Sequence, residues 1–141
     1  MIKQITPYLY FEGNAEEALD FYKRIFGGEK SDVMRYGDTE IQISEEYKDK
    51  ILHGRLEHES FSLFFSDTFE GQKLIKGSNV SLTLEFDGEE AIDRVYKALS
   101  EGGNVYMELQ KTFWNAKYGK VSDKFGVIWE LNYQYWSKQW Q

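Results

Sequence analysis

The sequence predicts an α+β fold made of two tandem βαβββ modules. Three observations carry that prediction: a segment that recurs 73 positions later (residue 16 to residue 89), a helical apolar face after each of two strand-like runs, and period-two alternation after each helix. The recurring segment is Glu16-Glu17-Ala18-Leu19-Asp20, which returns as Glu89-Glu90-Ala91-Ile92-Asp93. Both copies end in a glycine pair, Gly27-Gly28 and Gly102-Gly103. Cap, apolar face and glycine stop in the same order point to duplication.

Module one is expected over about 1–67. It opens with the apolar run Tyr8-Leu9-Tyr10-Phe11. The helix that follows places Ala15, Ala18, Leu19, Tyr22, Ile25 and Phe26 on one face at spacings of three and four. Asn14 with Glu17 resembles a capping box. Strands are expected at Lys30–Tyr36 and Glu40–Ser44, turned at Gly37-Asp38, and at Leu52–His58 and Phe61–Ser66. This gives module one a strand in excess. The charged stretch Glu45–Lys50 reads as a solvated loop, and Asp67–Ser78 as the linker.

Module two is expected over about 79–135. Val80–Phe86 alternates as a strand. Ala91, Ile92, Val95, Ala98 and Leu99 form the helix face, with Asp87 and Glu90 repeating the cap. Three strands are expected at Asn104–Gln110, Lys120–Asp123 and Val127–Tyr133. The 135–141 tail brings Trp136 and Trp140, suited to covering a core edge or a subunit contact.

Composition narrows the function classes. The chain has 141 residues, enough for one domain with a sizeable core, and its 17% aromatic content excludes a disordered chain. A net charge of −7 disfavours nucleic acid. Cysteine is absent, so disulfides, thiolate metal sites and thiol nucleophiles are excluded. No apolar stretch is long enough to cross a bilayer, and the N-terminus has no signal-peptide core, so a cytoplasmic protein without membrane attachment is expected. GxSxG, HExxH and P-loop patterns do not occur.

Local motifs add a resemblance. Pro7-Tyr8-Leu9-Tyr10-Phe11-Glu12-Gly13-Asn14, Met34-Arg35-Tyr36-Gly37-Asp38, Ile51-Leu52-His53, Ser66-Asp67, Thr112-Phe113-Trp114 and Asp123-Lys124-Phe125-Gly126-Val127-Ile128-Trp129-Glu130 stand in order over nearly the whole chain. With the repeated βαβββ unit, they resemble the glyoxalase/bleomycin-resistance (vicinal oxygen chelate) superfamily, and its PhnB-like branch most closely. The resemblance implies that the sheets curl into a bowl around a small-molecule cavity. Members of this branch often carry a label borrowed from demethylubiquinone methyltransferases. No glycine-rich strand-to-helix turn of the kind that holds a nucleotide-like methyl donor is present here.

The resemblance also implies four metal-ligand positions, on the first and last strand of each module. They fall at about Pro7, at Leu63 or Phe64, at Ser81 and at Glu130. Catalytic zinc typically takes three protein ligands, so Glu130 alone predicts a metal-free cavity with no cofactor. Glu130 is then expected to anchor a ligand, its carboxyl either raised by burial or accepting hydrogen bonds from aromatic neighbours, with Trp114 and Trp129 as packing surfaces. His53 and His58 lie five apart on one strand and face opposite ways, so they cannot chelate together. His53 matches a histidine common in the branch and is a candidate pocket residue. Tyr8 or Tyr10, and Phe61 or Leu63, are expected to point inward. Lys111, Lys117 and Lys120 interleave with Phe113, Trp114 and Tyr118 in a segment expected to loop over the cavity. The functional expectation is a small-molecule-binding protein, a homodimer, with a metal-dependent or metal-free lyase, transferase or dioxygenase as the alternative.

Overall fold

The computed structural model describes residues 1–135, so the expectations for Trp136 and Trp140 lie outside the described residues. The chain divides at 75/76 into two compact units, within the expected linker. Each unit is one βαβββ module. Module one runs β1 (Tyr8–Phe11), α1 (Ala15–Phe26), β2 (Glu29–Arg35), β3 (Ile51–Glu57) and β4 (Ser62–Asp67). Module two runs β5 (Leu82–Phe86), α2 (Glu89–Ser100), β6 (Asn104–Lys111), β7 (Ala116–Ser122) and β8 (Ile128–Gln134). The sheet orders are β1-β4-β3-β2 and β5-β8-β7-β6. The first strand of each module pairs parallel with the last, and the other pairs are antiparallel.

Both helices bury the expected stripe. Ala15, Ala18, Leu19, Tyr22 and Ile25 of α1 pack on β3 and β4; Ile92, Val95 and Leu99 of α2 pack on β7 and β8. Each large buried side chain contributes roughly 1.5–3 kcal/mol. The glycine pairs do more than end helices. A Cβ on Gly28 would stand 2.5 Å from the Glu57 carbonyl oxygen, and one on Gly103 would stand 2.2 Å from that of Ser122. The duplicated glycines let each helix exit run against its own sheet.

Four expectations are corrected. Glu40–Ser44 is not a strand: β2 pairs only with β3, so the alternating Ile41 and Ile43 have no ladder to join. Instead Asp38 accepts the Arg35 N–H at 2.9 Å and closes a 3-10 turn over Tyr36–Asp38. Among the described residues the modules therefore have equal strand counts. Second, neither helix has a side-chain bond from its N-cap residue, Asn14 or Gly88. At α1 the cap is supplied from β4, by Asp67. Third, Asp67 belongs to that strand and is 1% exposed, so the linker starts after it. Fourth, β7 begins at Ala116, four residues before the expected start at Lys120, so Lys117 and Tyr118 are strand residues, Lys111 ends β6, and the Thr112–Asn115 turn joins the two strands.

Candidate functional site

The cavity of module one is built on the face of its sheet opposite α1. Leu63 and Phe65 of β4 are buried on the helix side, which turns Phe64 and Ser66 the other way. Phe61 also sits on the helix side, edge-on to Phe26 at 5.8 Å. The expectation that Phe61 or Leu63 points inward is thus corrected by one residue of register. Tyr8 and Tyr10 of β1 lie on the Phe64 face, their rings stacked at 4.8 Å and 13°. Phe64 stands edge-on to Tyr8 at 5.6 Å and to His53 at 5.3 Å.

These residues open on a cavity of about 600 Å³. Tyr8, Tyr10, Tyr36, Leu52 and Ser66 form its floor, and the segment after β4, from Thr68 to Ile75, forms a wall. Asp67 lies beneath. Its Oδ1 accepts the Gly13 and Ala15 N–H groups at 2.8 and 2.9 Å, and its Oδ2 accepts that of Ile51 at 2.8 Å. The Tyr36 hydroxyl donates to the Asp67 carbonyl at 2.8 Å, and burial foremost pushes that hydroxyl up to about 12.

His53 meets the Tyr8 hydroxyl through Nδ1 at 2.8 Å, and Arg55 Nε donates to His53 Nε2 at 3.3 Å. Arg55 in turn pairs with Asp32 at 3.3 Å. Burial, with the Arg55 charge second, holds the imidazole below its ordinary value, so His53 is neutral at pH 7. Burial, with Tyr10 second, raises the Tyr8 phenol. His58 faces the other way, stacked on Phe61 at 4.6 Å.

Glu130 on β8 occupies a separate polar group in module two. One carboxylate oxygen accepts the Ser81 hydroxyl and the other accepts that of Tyr118. These bonds, Ser81 first, hold Glu130 below the usual carboxylate range. Of the two expected environments, hydrogen-bond acceptance is the one found, and a raised carboxyl is not. The Tyr118 phenol is pushed up to about 12 by burial and then by Glu130. Trp114 lies edge-on to Tyr118 at 6.1 Å and is 47% exposed, on the fringe of this group. Trp129 is elsewhere: it is 1% exposed and its indole N–H donates to Asp123 Oδ2 at 2.8 Å. As the neighbour of Glu130 on a strand it faces the core, so the expectation of a ligand-packing surface there is corrected.

The registers also relocate one family position. Tyr10 pairs with Ser66 in module one, and Thr83 with Glu130 in module two. The 73-residue repeat aligns Tyr10 with Thr83, so Ser66, rather than Leu63 or Phe64, corresponds to Glu130. Serine and tyrosine hydroxyls and one carboxylate are a poor donor set for a divalent ion. Among the described residues, no three His, Asp or Glu side chains converge as a metal site requires.

Asp67, Tyr36, Ser66, Arg55 and Lys73 were not legible as site residues. Asp67 did carry a signal: an acidic residue ending an apolar run, within the Ser66-Asp67 motif.

A family model described as 3-demethylubiquinone-9 3-methyltransferase matches residues 3–132. The crystal structure of protein PA1353 from Pseudomonas aeruginosa superposes with a TM-score of 0.86 at 38% identity, covering 94% of this chain and 98% of that one. A putative 3-demethylubiquinone-9 3-methyltransferase, PhnB protein, from Bacillus cereus gives 0.80 at 29% identity over 93% and 99%. A glyoxalase/bleomycin resistance protein/dioxygenase family enzyme from Burkholderia phytofirmans PsJN shares the fold, at 0.61 and 16% identity over 91% and 97%.

Proposed function

Because this chain belongs to the family described as 3-demethylubiquinone-9 3-methyltransferase, the PhnB-like branch of the glyoxalase/bleomycin-resistance superfamily, we propose that it is a small-molecule-binding protein with a degenerate metal site. The observation that carries this reading is the module-one cavity: about 600 Å³, with apolar walls and a few placed polar groups, the usual make-up of a small-molecule site. The donor set at the superfamily's ligand positions supports the second half of the proposal. The carboxylate of Glu130 is already engaged by two hydroxyls. Methyl transfer receives no support from the residues, since the strand-to-helix turns Glu12-Gly13-Asn14 and Asp87-Gly88 lack a glycine-rich cradle.

Two copies are proposed to associate. The edge strand β6 leaves Val105, Tyr106 and Met107 exposed, an arrangement that soluble proteins usually cover. Light scattering is expected to give twice the 16.7 kDa chain mass.

The binding proposal is tested by a thermal-shift screen of metabolite-sized compounds. Stabilising compounds are expected, and Tyr10→Ala, at a half-exposed residue of the cavity floor, is expected to abolish their effect. No stabiliser, or stabilisers indifferent to Tyr10→Ala, would remove the proposal. Elemental analysis and calorimetry with Zn²⁺, Ni²⁺, Mn²⁺ and Fe²⁺ test the metal half. One tightly bound equivalent, lost in Glu130→Ala, would refute it.

A further inference from the structure

We infer that the module-one cavity selects a small aromatic anion, whose oxygen is held by the Tyr8 hydroxyl proton and the Lys73 ammonium. This rests on the binding reading above and specifies the charge of the ligand.

Proton ownership around His53 decides which groups can donate into the cavity. A guanidinium can only donate, so Arg55 Nε, whose N–H is shared at 3.3 Å between His53 Nε2 and Asp32 Oδ2, faces His53 Nε2 as an acceptor. A neutral imidazole has one N–H, which must then sit on Nδ1 and donate to the Tyr8 oxygen at 2.8 Å. Tyr8 is thereby an acceptor toward His53, and its own proton is divided between the neighbouring Ser66 oxygen and the cavity. The neighbouring Ser66 hydroxyl gives its proton to the Asp67 carbonyl at 2.9 Å. Tyr36 spends its proton on the same carbonyl.

The Asp67 carboxylate, the one anionic group among the described residues of the cavity lining, is covered by three backbone N–H groups. The cation on that lining is Lys73, which is exposed and forms no ion pair among the described residues. The cavity therefore offers a hydroxyl donor and an ammonium, with its carboxylate already satisfied. Leu52, Phe69, Leu74 and Ile75 give the rest an apolar wall, and the parallel Tyr8 and Tyr10 rings suit a flat body. A ligand that matches has an aromatic frame and a carboxylate or phenolate oxygen. A charge-assisted hydrogen bond is about twice as strong as a neutral one, which is the source of the selectivity.

Three compounds of one shape and different charge test this: 2-naphthoate, 2-naphthalenemethanol and 2-naphthylmethylammonium. Calorimetric titration is expected to rank them in that order, with naphthoate at least about tenfold tighter than the alcohol. Tyr8→Phe and Lys73→Met are each expected to shrink the naphthoate-to-alcohol ratio, with weak alcohol binding retained in Lys73→Met. A loss of packing alone would weaken both compounds equally and leave the ratio unchanged. Equal or tighter binding of the alcohol or the ammonium overturns the charge assignment and leaves the binding proposal standing. Naphthoate binding indifferent to both substitutions overturns the assignment of the site. Failure of all three compounds overturns the inference, while the independent screen decides the binding proposal.

Discussion

Removing the Asp67 carboxylate should unfold module one more readily than any other single polar substitution in it. The group is 1% exposed and accepts from Gly13, Ala15 and Ile51 at 2.8, 2.9 and 2.8 Å. It thus ties the start of α1, the β1–α1 turn and the start of β3 to the end of β4. A hydrogen bond to a charged group is worth roughly 1.5–3 kcal/mol, and a buried donor left unpaired costs about 1–3 kcal/mol. Ala15 and Ile51 are buried and Gly13 is half-buried, so two contacts count nearly in full. Asp67→Ala is expected to cost about 3–6 kcal/mol, a large share of the roughly 5–15 kcal/mol that holds a domain together. Asp67→Asn can keep the Oδ1 acceptor but presents an amide to Ile51, so its cost is expected at about 1.5–3 kcal/mol. Urea denaturation is the assay, read by far-UV circular dichroism for both modules. Tryptophan fluorescence reads module two alone, because every tryptophan lies beyond residue 75. The expected result is a circular-dichroism transition that moves to lower urea, with Asp67→Ala below Asp67→Asn. A loss under about 1 kcal/mol for Asp67→Ala, or equal losses for both variants, would refute the reasoning.

Three further outcomes are expected. Trp129→Ala should cost about 3–5 kcal/mol in module two, measured by urea denaturation, and should leave ligand affinity in the module-one cavity unchanged. Glu130 titrates below its ordinary value in the folded chain, so its contribution is present above about pH 4.5 and is lost as pH falls through the lowered value; Tyr118→Phe should therefore move acid unfolding of module two, followed by tryptophan fluorescence, to higher pH. The Arg35–Glu16 pair bridges β2 and α1 at 2.7 Å but both side chains are partly exposed, at 33% and 43%, so Glu16→Gln should cost only about 0.2–1 kcal/mol and the difference should fade in 1 M salt by denaturant titration.

The fold was legible because its repeat is written in short-range patterns. Leu19 and Ile92 sit at the same place in two helical stripes, and Gly28 and Gly103 mark the same close approach to a sheet. What misled was alternation without a neighbour. Glu40–Ser44 alternates as well as a true strand does, but strand structure needs a ladder partner, and local sequence does not supply one. The cap of α1 was misread for a related reason. Asn14 is a good cap by type, yet Asp67, 53 residues later in sequence (14 to 67), reaches the helix start through the parallel β1–β4 pairing. The candidate site was half legible. Tyr8, Tyr10 and His53 could be placed on one face from parity and resemblance. Arg55, which donates toward His53 Nε2 from two residues along the same strand face, is marked by no local pattern. Trp129 shows the converse error, since adjacency to Glu130 in sequence places it on the opposite face of a strand.

The central claim is that a small molecule occupies the module-one cavity. Amide chemical-shift mapping by NMR tests it most directly, with the strongest stabiliser from the thermal-shift screen added stepwise to labelled protein. Shifts confined to Tyr8, Tyr10, Tyr36, Leu52, Ser66 and the Gln72–Ile75 segment are the expected result. Shifts centred instead on Ser81, Trp114, Tyr118 and Glu130, with the module-one amides unmoved, would contradict the account.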